Sequence, residues 1–345
     1  MEANGKKKSR LLLRGAVVLG TVAAAVLSAA CSSEDVSEDK KNEEKNEQAG
    51  DISINPVAQG EAESPVDATP SPDGNDVYFI ASTRKADPDG LGFERVPAIF
   101  KVSSKGGPLT KLHEGAPLGS PFGITISDDG QKLFIADSAA DTSEDRSDGM
   151  VWTMSTGGGA PTSLAGTEGL KPGGVEVSGD TLYMTGRKDG QAGVFRMGTG
   201  GGNVSALKTG APFTDPSGVA VAKSGEVYVV DSGSAMSAQA GASVIKVTAD
   251  GNASVLIEGI AVGHPGGIAL SADDKTLFVS GLDGATGTDR VFKVTLDGMK
   301  VEEAFTSTIG EFYESAGLHR ARTSNVFAWA DSRANKTGTV YVLGK

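Results

Sequence analysis

The chain has 345 residues, 48 of them glycine, and carries 32 Lys+Arg against 44 Asp+Glu for a net charge of −12. So acidic a balance argues against nucleic acid or anionic lipid as a partner for a basic face. A single cysteine excludes a disulfide within the chain, and the glycine content, with no helical periodicity beyond the first 30 residues, points to an all-β protein.

Residues 1–30 read as a targeting segment rather than as part of the fold. Lys6, Lys7, Lys8, Arg10 and Arg14 precede an apolar run, Gly15 to Leu27, that is short for a membrane span. Leu27-Ser28-Ala29-Ala30-Cys31 follows, and the only cysteine of the chain stands there. Residues 31–50 are rich in Ser, Glu, Lys and Asn, cannot bury apolar surface, and read as an acidic disordered tether. Removal of 1–30 takes away five basic residues and one acid, which leaves 27 basic against 43 acidic residues and a net charge of −16.

From residue 51 to 345 one pattern recurs six times. A segment of the form Pro-x-Gly-apolar-x-apolar leads through a Gly/Asp turn to an apolar-aromatic-apolar strand, as in Pro121–Ile126 with Leu133–Asp137 and Pro216–Val221 with Val227–Asp231. The aromatic of that second strand falls at Tyr78, Phe134, Tyr183, Tyr228, Phe278 and Phe327, with gaps of 56, 49, 45, 50 and 49 residues. A third strand follows around Phe100, Trp152, Phe195, Ile245, Phe292 and Tyr341, and then a weaker fourth. Four short strands per repeat predict antiparallel meanders that bury their faces only against neighbouring copies. The expected fold is an all-β, six-bladed β-propeller with four antiparallel strands per blade.

The last copy stops at its third strand, Val340–Leu343, and a spare strand-like piece, Ile52–Val57, lies ahead of the first copy. This piece is expected to close the ring as an outer strand, where Pro56 is tolerated. The first-strand glycine recurs at Gly123, Gly174, Gly218, Gly267 and Gly317, where inner strands crowd the axis. The first copy alone departs, with Asp67 in that place.

The leader resembles a bacterial lipoprotein signal, although Ser28 stands where such signals usually carry Leu. This implies lipidation at Cys31 and a membrane anchor at the N-terminus. In sorting of the enterobacterial kind, Ser32 after the cysteine implies the outer membrane. The repeats resemble TolB-like and NHL-type six-bladed propellers over nearly all of residues 51–345, and Pro216–Val221 with Gly225–Asp231 carries the likeness best. That resemblance implies a fold that serves both enzymes and binding platforms. A more distant similarity is to gluconolactonase-type propellers, which hold a divalent cation at the axis. Glu63 before Pro65 matches one of that family's ligands, but Val66, Phe122, Gly173, Ser217, Gly266 and Ala316 stand where others are expected.

The residues before each first strand, Ser64, Ser120, Lys171, Asp215, His264 and Glu314, belong to one face of a propeller, its upper face. With Glu63 and Asp67, the candidate ligand-binding ring at the channel mouth is Glu63, Asp67, Lys171, Asp215, His264 and Glu314. Paired carboxylates near a histidine can bind a cation or move protons. His319, on an inner strand, either faces the channel or is an interior residue, and His113 belongs to the surface. The acidic loops 87–94 and 137–149 resemble calcium loops only in part, so a divalent cation such as calcium is an expectation without an assigned site. Gly157–Gly159 and Gly200–Gly202 lack a following Lys-Ser/Thr and read as hairpin turns, not phosphate loops.

Three functions fit this reading. The first is a lipid-anchored cell-envelope binding module that holds a protein, glycan or small ligand on its upper face. The second is a metal-assisted hydrolase or lactonase using Glu63, Asp67, Asp215, His264 and Glu314. The third is a scaffold within a surface assembly.

Overall fold

A computed structural model describes residues 53–86, 89–90, 92–140, 149–233, 241–260, 266–283, 288–305 and 315–344. The leader 1–30, the tether 31–50, His264 and Glu314 lie outside the described residues, as does most of the 137–149 loop. Everything described falls in one compact unit.

Six four-stranded antiparallel sheets make up the unit. Blade 1 comprises β2 (Glu63–Pro70), β3 (Asp76–Ala86), β4 (Phe93–Ser103) and β5 (Thr110–Glu114). Blade 2 comprises β6 (Pro121–Ile126), β7 (Lys132–Asp137), β8 (Met150–Ser155) and β9 (Thr162–Ser163), and blade 3 β10 (Leu170–Ser178), β11 (Thr181–Lys188), β12 (Gln191–Gly198) and β13 (Ser205–Thr209). Blade 4 comprises β14 (Pro216–Val221), β15 (Val227–Asp231), β16 (Ala242–Val247) and β17 (Ala253–Ile260). Blade 5 comprises β18 (Ile268–Leu270), β19 (Thr276–Asp283), β20 (Thr288–Thr295) and β21 (Lys300–Phe305).

Blade 6 has three strands of its own, β22 (Ser315–Arg320), β23 (Phe327–Asp331) and β24 (Thr339–Gly344). Its outer strand is β1 (Ser53–Gln59), which pairs antiparallel with β24 from Ser53 opposite Gly344 to Gln59 opposite Thr339. The expected seam is therefore present. Pro56 sits opposite Tyr341 and the register shifts between Pro56 and Ala58, a bulge at an edge where a missing N–H costs little.

The inner strands touch in the cyclic order β2, β6, β10, β14, β18, β22 and back to β2. Six apolar clusters fill the wedges, one for each adjacent pair of blades. The alternation of the second strand explains this. Val77, Phe79 and Ala81 face blade 6, whereas Tyr78 and Ile80 face blade 2. All six repeat aromatics are buried, and Phe278 meets Phe327 across the wedge between blades 5 and 6 with ring centroids 4.7 Å apart. Burying one such side chain contributes roughly 1.5–3 kcal/mol, so the wedges carry most of the cohesion of the ring.

Candidate functional site on the propeller axis

The inner strands alternate, so the glycine position and the position two residues later both look into the channel. At the second position the six blades place Thr69, Thr125, Glu176, Ala220, Ala269 and His319. Glu176 and His319 meet there. His319 Nδ1 lies 2.7 Å from Glu176 Oε2, and His319 Nε2 lies 3.1 Å from Asp67 Oδ2. Asp67, Glu176 and His319 are all buried. The departure at Asp67 and the histidine of uncertain facing thus belong to one cluster, completed by a carboxylate that the repeat pattern had not singled out.

Local backbone geometry explains why Asp67 fits. The inner strands are bulged just after their prolines, between Pro121 and Gly123 in blade 2 and between Pro172 and Gly174 in blade 3. In blade 2 the Ile124 N–H donates to Asp67 Oδ2 at 2.7 Å, and the Ala68 N–H donates to Oδ1 at 2.8 Å. On the neighbouring inner strand of blade 6, a Cβ on Gly317 would overlap the Asp67 carboxyl. One carboxylate occupies the room made by glycine.

Arg322 extends the cluster. It follows β22 and reaches across the lower end of the channel, where Nη1 donates to Glu176 Oε1 and Nη2 donates to the Ile126 carbonyl at 3.0 Å. Its Nε lies 2.9 Å from Asp128 Oδ1, in the lower turn of blade 2. The chain of ion pairs Asp67–His319–Glu176–Arg322–Asp128 therefore joins blades 1, 6, 3 and 2.

Both imidazole nitrogens face carboxylates, so both must donate, and the ring is an imidazolium. Burial alone would drive it toward neutrality. The charges of Asp67 and Glu176, and hydrogen bonds to both, outweigh burial and hold the His319 pKa up at about 10. Burial would likewise raise Glu176, but the Arg322 guanidinium and His319 more than offset this and hold its carboxyl below the ordinary value. For Arg322, burial is outweighed by Glu176, with Asp128 adding to the effect, and the guanidinium is held above its ordinary value.

The network fills the axis. Above it a space of about 10 Å³ remains between Asp67, His319, Phe122 and the inner-strand glycines. Below it a space of about 30 Å³ is bounded by Glu176, His319, Arg320, Arg322 and the small side chains of Ala220 and Ala269. Each is room for about a water molecule or two. A wider hollow of about 690 Å³ opens at the lower edges of blades 2 and 3, lined by Asp128, Asp129, Lys132, Met154, Thr162 and Asp180. It is an open groove whose Asp129 is held in its own turn by Ser127 and the Gln131 N–H.

The residues expected at the channel mouth divide. Asp67 lies inside the channel. Glu63 is buried at the mouth and turned toward blade 1, with Arg84 Nε 2.6 Å from Oε1 and Arg95 Nη2 3.9 Å from Oε2. Lys171 is exposed and Asp215 half-buried. The Asp215 backbone is fixed by Asp231, whose carboxylate accepts from the Thr214 and Asp215 N–H groups; Asp137 does the same for Gly119 and Ser120. Among the described residues no hydrogen bond or ion pair joins Glu63, Lys171 and Asp215 to one another. His113 is half-buried on β5, its Nε2 within hydrogen-bonding distance of the Gly115 and Ala116 carbonyls. Gly157–Gly159 and Gly200–Gly202 lie between third and fourth strands, as expected for hairpin turns.

The NHL repeat family model matches residues 213–235, which cover β14 and β15 of blade 4. No curated protein matches the chain. Among solved structures, the chain superposes on a protein of Thermus thermophilus assigned as an oxidoreductase (glucose dehydrogenase), with a TM-score of 0.58 and 14% identity over 85% of this chain and 99% of that one. A gluconolactonase of Xanthomonas campestris gives a TM-score of 0.58 at 12% identity, covering 86% and 90%. TolB of Acinetobacter baumannii gives 0.51 at 13% identity over 70% of this chain, which spans about half (54%) of the TolB chain. The fold is that of a six-bladed, TolB-like and NHL-type propeller. At these identities the likeness concerns the fold alone.

The likeness to gluconolactonase-type propellers implies an axial divalent cation, and the described residues do not fit one. Asp67 is engaged by two amides and His319, both His319 nitrogens face carboxylates, and Glu63 is turned to two arginines. Val66, Phe122, Gly173 and Gly266 offer no side-chain ligand for a hard cation. Among the described residues no group of three or more His, Cys, Asp or Glu is arranged to hold a metal.

Proposed function

We propose that the protein is a lipid-anchored binding module of the bacterial cell envelope, tethered through Cys31 and residues 31–50, that holds a protein, glycan or small ligand on the upper face of its propeller. The closed axis carries this reading. Among the described residues its charges are spent on one another, and the spaces of about 10 and 30 Å³ beside them are too small for a substrate. What remains for recognition is the rim, where the copies of the repeat differ most. Blade 1 raises a hairpin of two 11-residue strands there, with Phe93 69% exposed beside its tip. An exposed aromatic at the end of such a strand suits a partner surface.

Three measurements test the proposal. Wild-type protein should sediment with membranes, and Cys31→Ser should move to the soluble fraction. Shortening 87–94 or 137–149 should reduce chemical cross-linking to the envelope partner, while lactone and ester substrates show no turnover above buffer. Hydrolysis that disappears in Asp67→Asn would replace the binding reading with an enzymatic one.

A further inference from the structure

On the upper edge, cations stand directly opposite each other across paired strands in two places. In blade 1 Arg84 on β3 faces Arg95 on β4, and in blade 3 Lys171 on β10 faces Arg187 on β11. Like charges directly opposite destabilise a sheet, so each arrangement calls for compensation. Blade 1 supplies its own, because both arginines turn to the buried Glu63 carboxylate. The residue two places before the inner-strand proline is Glu63 in blade 1 but Leu170 in blade 3, and Leu170 is fully buried in a wedge between blades. No described carboxylate pairs with Lys171 or Arg187, neither Asp189 at the hairpin tip nor Asp215 beside Thr214. Among the described residues, the pair's side chains make one polar contact, in which Arg187 Nη2 donates to the Thr214 carbonyl of the loop leading into blade 4.

The blade 3 pair is also held in place. β11 and β12 are joined by a two-residue turn, Asp189 and Gly190, with φ of 51° and 75°, a tight hairpin that fixes strand register. The close approach of Gly186 to the Lys171 carbonyl, which a Cβ would obstruct, keeps the two strands together at that point. The pair is a fixed positive point on a chain of net charge −12.

We propose that Lys171 and Arg187 form a docking point for a carboxylate of an acidic segment of a partner protein, which completes from outside the arrangement that Glu63 completes within blade 1. This rests on the upper-face binding reading and names the chemistry of the partner. A guanidinium held at one end takes a carboxylate in a defined geometry, and the acidic surroundings disfavour the same segment elsewhere on the surface, so the contribution is to register and selectivity.

The test titrates a fluorescein-labelled oligoglutamate peptide against the purified full-length chain in neutral detergent at low ionic strength, read by anisotropy. Saturable binding should weaken by about tenfold or more in Lys171→Gln/Arg187→Gln and stay at the wild-type level in Arg84→Gln/Arg95→Gln. Lys171→Gln alone should melt no lower than wild type, since it relieves a repulsion. Absent peptide binding, a double variant that binds like wild type, or a lower melting temperature for Lys171→Gln would each overturn the site. Inorganic phosphate or a polyuronate binding as tightly as the peptide would overturn its assignment to an acidic protein segment. The probe is not the natural partner, so failure here with intact loop-dependent cross-linking removes this docking point and leaves the upper-face reading standing.

Discussion

At the inward position two residues after the inner-strand glycine, blades 3 and 6 carry Glu176 and His319, whereas blades 4 and 5 carry Ala220 and Ala269. The same register thus supports an ionised wall and an apolar one around a single axis. The apolar half shows that small side chains suffice to close a propeller. The ionised half therefore adds something that closure does not need. It joins blade 6, the one blade completed by a strand from the other end of the chain, to blades 1, 3 and 2. Buried ion pairs seldom exceed a well-packed apolar replacement in net stability, but breaking one by removing a single partner is costly. The two halves should accordingly respond to mutation very differently.

His319→Ala should have the largest effect. It leaves Asp67 and Glu176 buried without their shared cation and should cost about 3–5 kcal/mol. Ala269→Ser, in the opposite wall, should cost under about 1 kcal/mol. Denaturant unfolding of both variants checks this, and equal losses would show that the ionised wall is no more structural than the apolar one.

Gly317→Ala comes next. Its new methyl would overlap the Asp67 carboxyl, an overpacking worth about 1–3 kcal/mol. The same change in an Asp67→Gly background should cost much less, because the intruding group is gone. A double-mutant cycle reads the difference, and strict additivity would show that the two residues do not compete for one space.

The ionised wall should also make stability depend on pH from both sides. His319 has its folded pKa raised to about 10 from an ordinary 6.5, so its contribution is full below 6.5 and is lost as pH rises through about 10. Glu176 is held below its ordinary 4.5, so its contribution is present above that value and fades as pH falls through its lower folded value. Melting temperature should form a plateau between about pH 4.5 and 6.5 and decline as pH rises from 6.5 toward 10, and this alkaline decline should flatten in His319→Gln. An unchanged alkaline arm in that variant would assign the decline to other groups.

How much of this was legible in the sequence follows from what repeats. The ring, the seam strand and the six buried aromatics could be read because each is imposed on every copy by packing against a neighbour. Asp67 could be read because it breaks that imposition. Glu176 carries a weaker signal, a carboxylate between Val175 and Val177 at an inward position of the strand. Arg322 had none, because it follows the last inner-strand residue and its direction is set by carboxylates 146 and 194 residues earlier in the chain. Of the mouth ring expected from Glu63, Asp67, Lys171, Asp215, His264 and Glu314, the described members Glu63, Lys171 and Asp215 make no hydrogen bond or ion pair with one another, for a related reason. Sequence placed these residues at the upper ends of their strands, but side-chain direction there depends on local partners, two arginines for Glu63 and the Asp231 cap beside Asp215.

The smallest expected effect lies at the outer end of the ionised chain, where the contrast between buried and solvated charge appears along a single row of contacts. The Asp128 side chain is 47% exposed, whereas that of Glu176 is 10% exposed, and both pair with Arg322. Asp128→Asn should cost only about 0–1 kcal/mol, and that cost should vanish at high salt, because water and ions reach the pair. Glu176→Gln should cost more and retain its cost in salt, because it leaves His319 and Arg322 short of a counter-charge in a site that mobile ions do not enter. Measuring both variants across a salt series therefore locates the point on the axis where solvent gives way to protein. If the two costs fell together with salt, the lower channel would be wet as far as His319, and the ionised wall would act as a solvated surface rather than as a clasp.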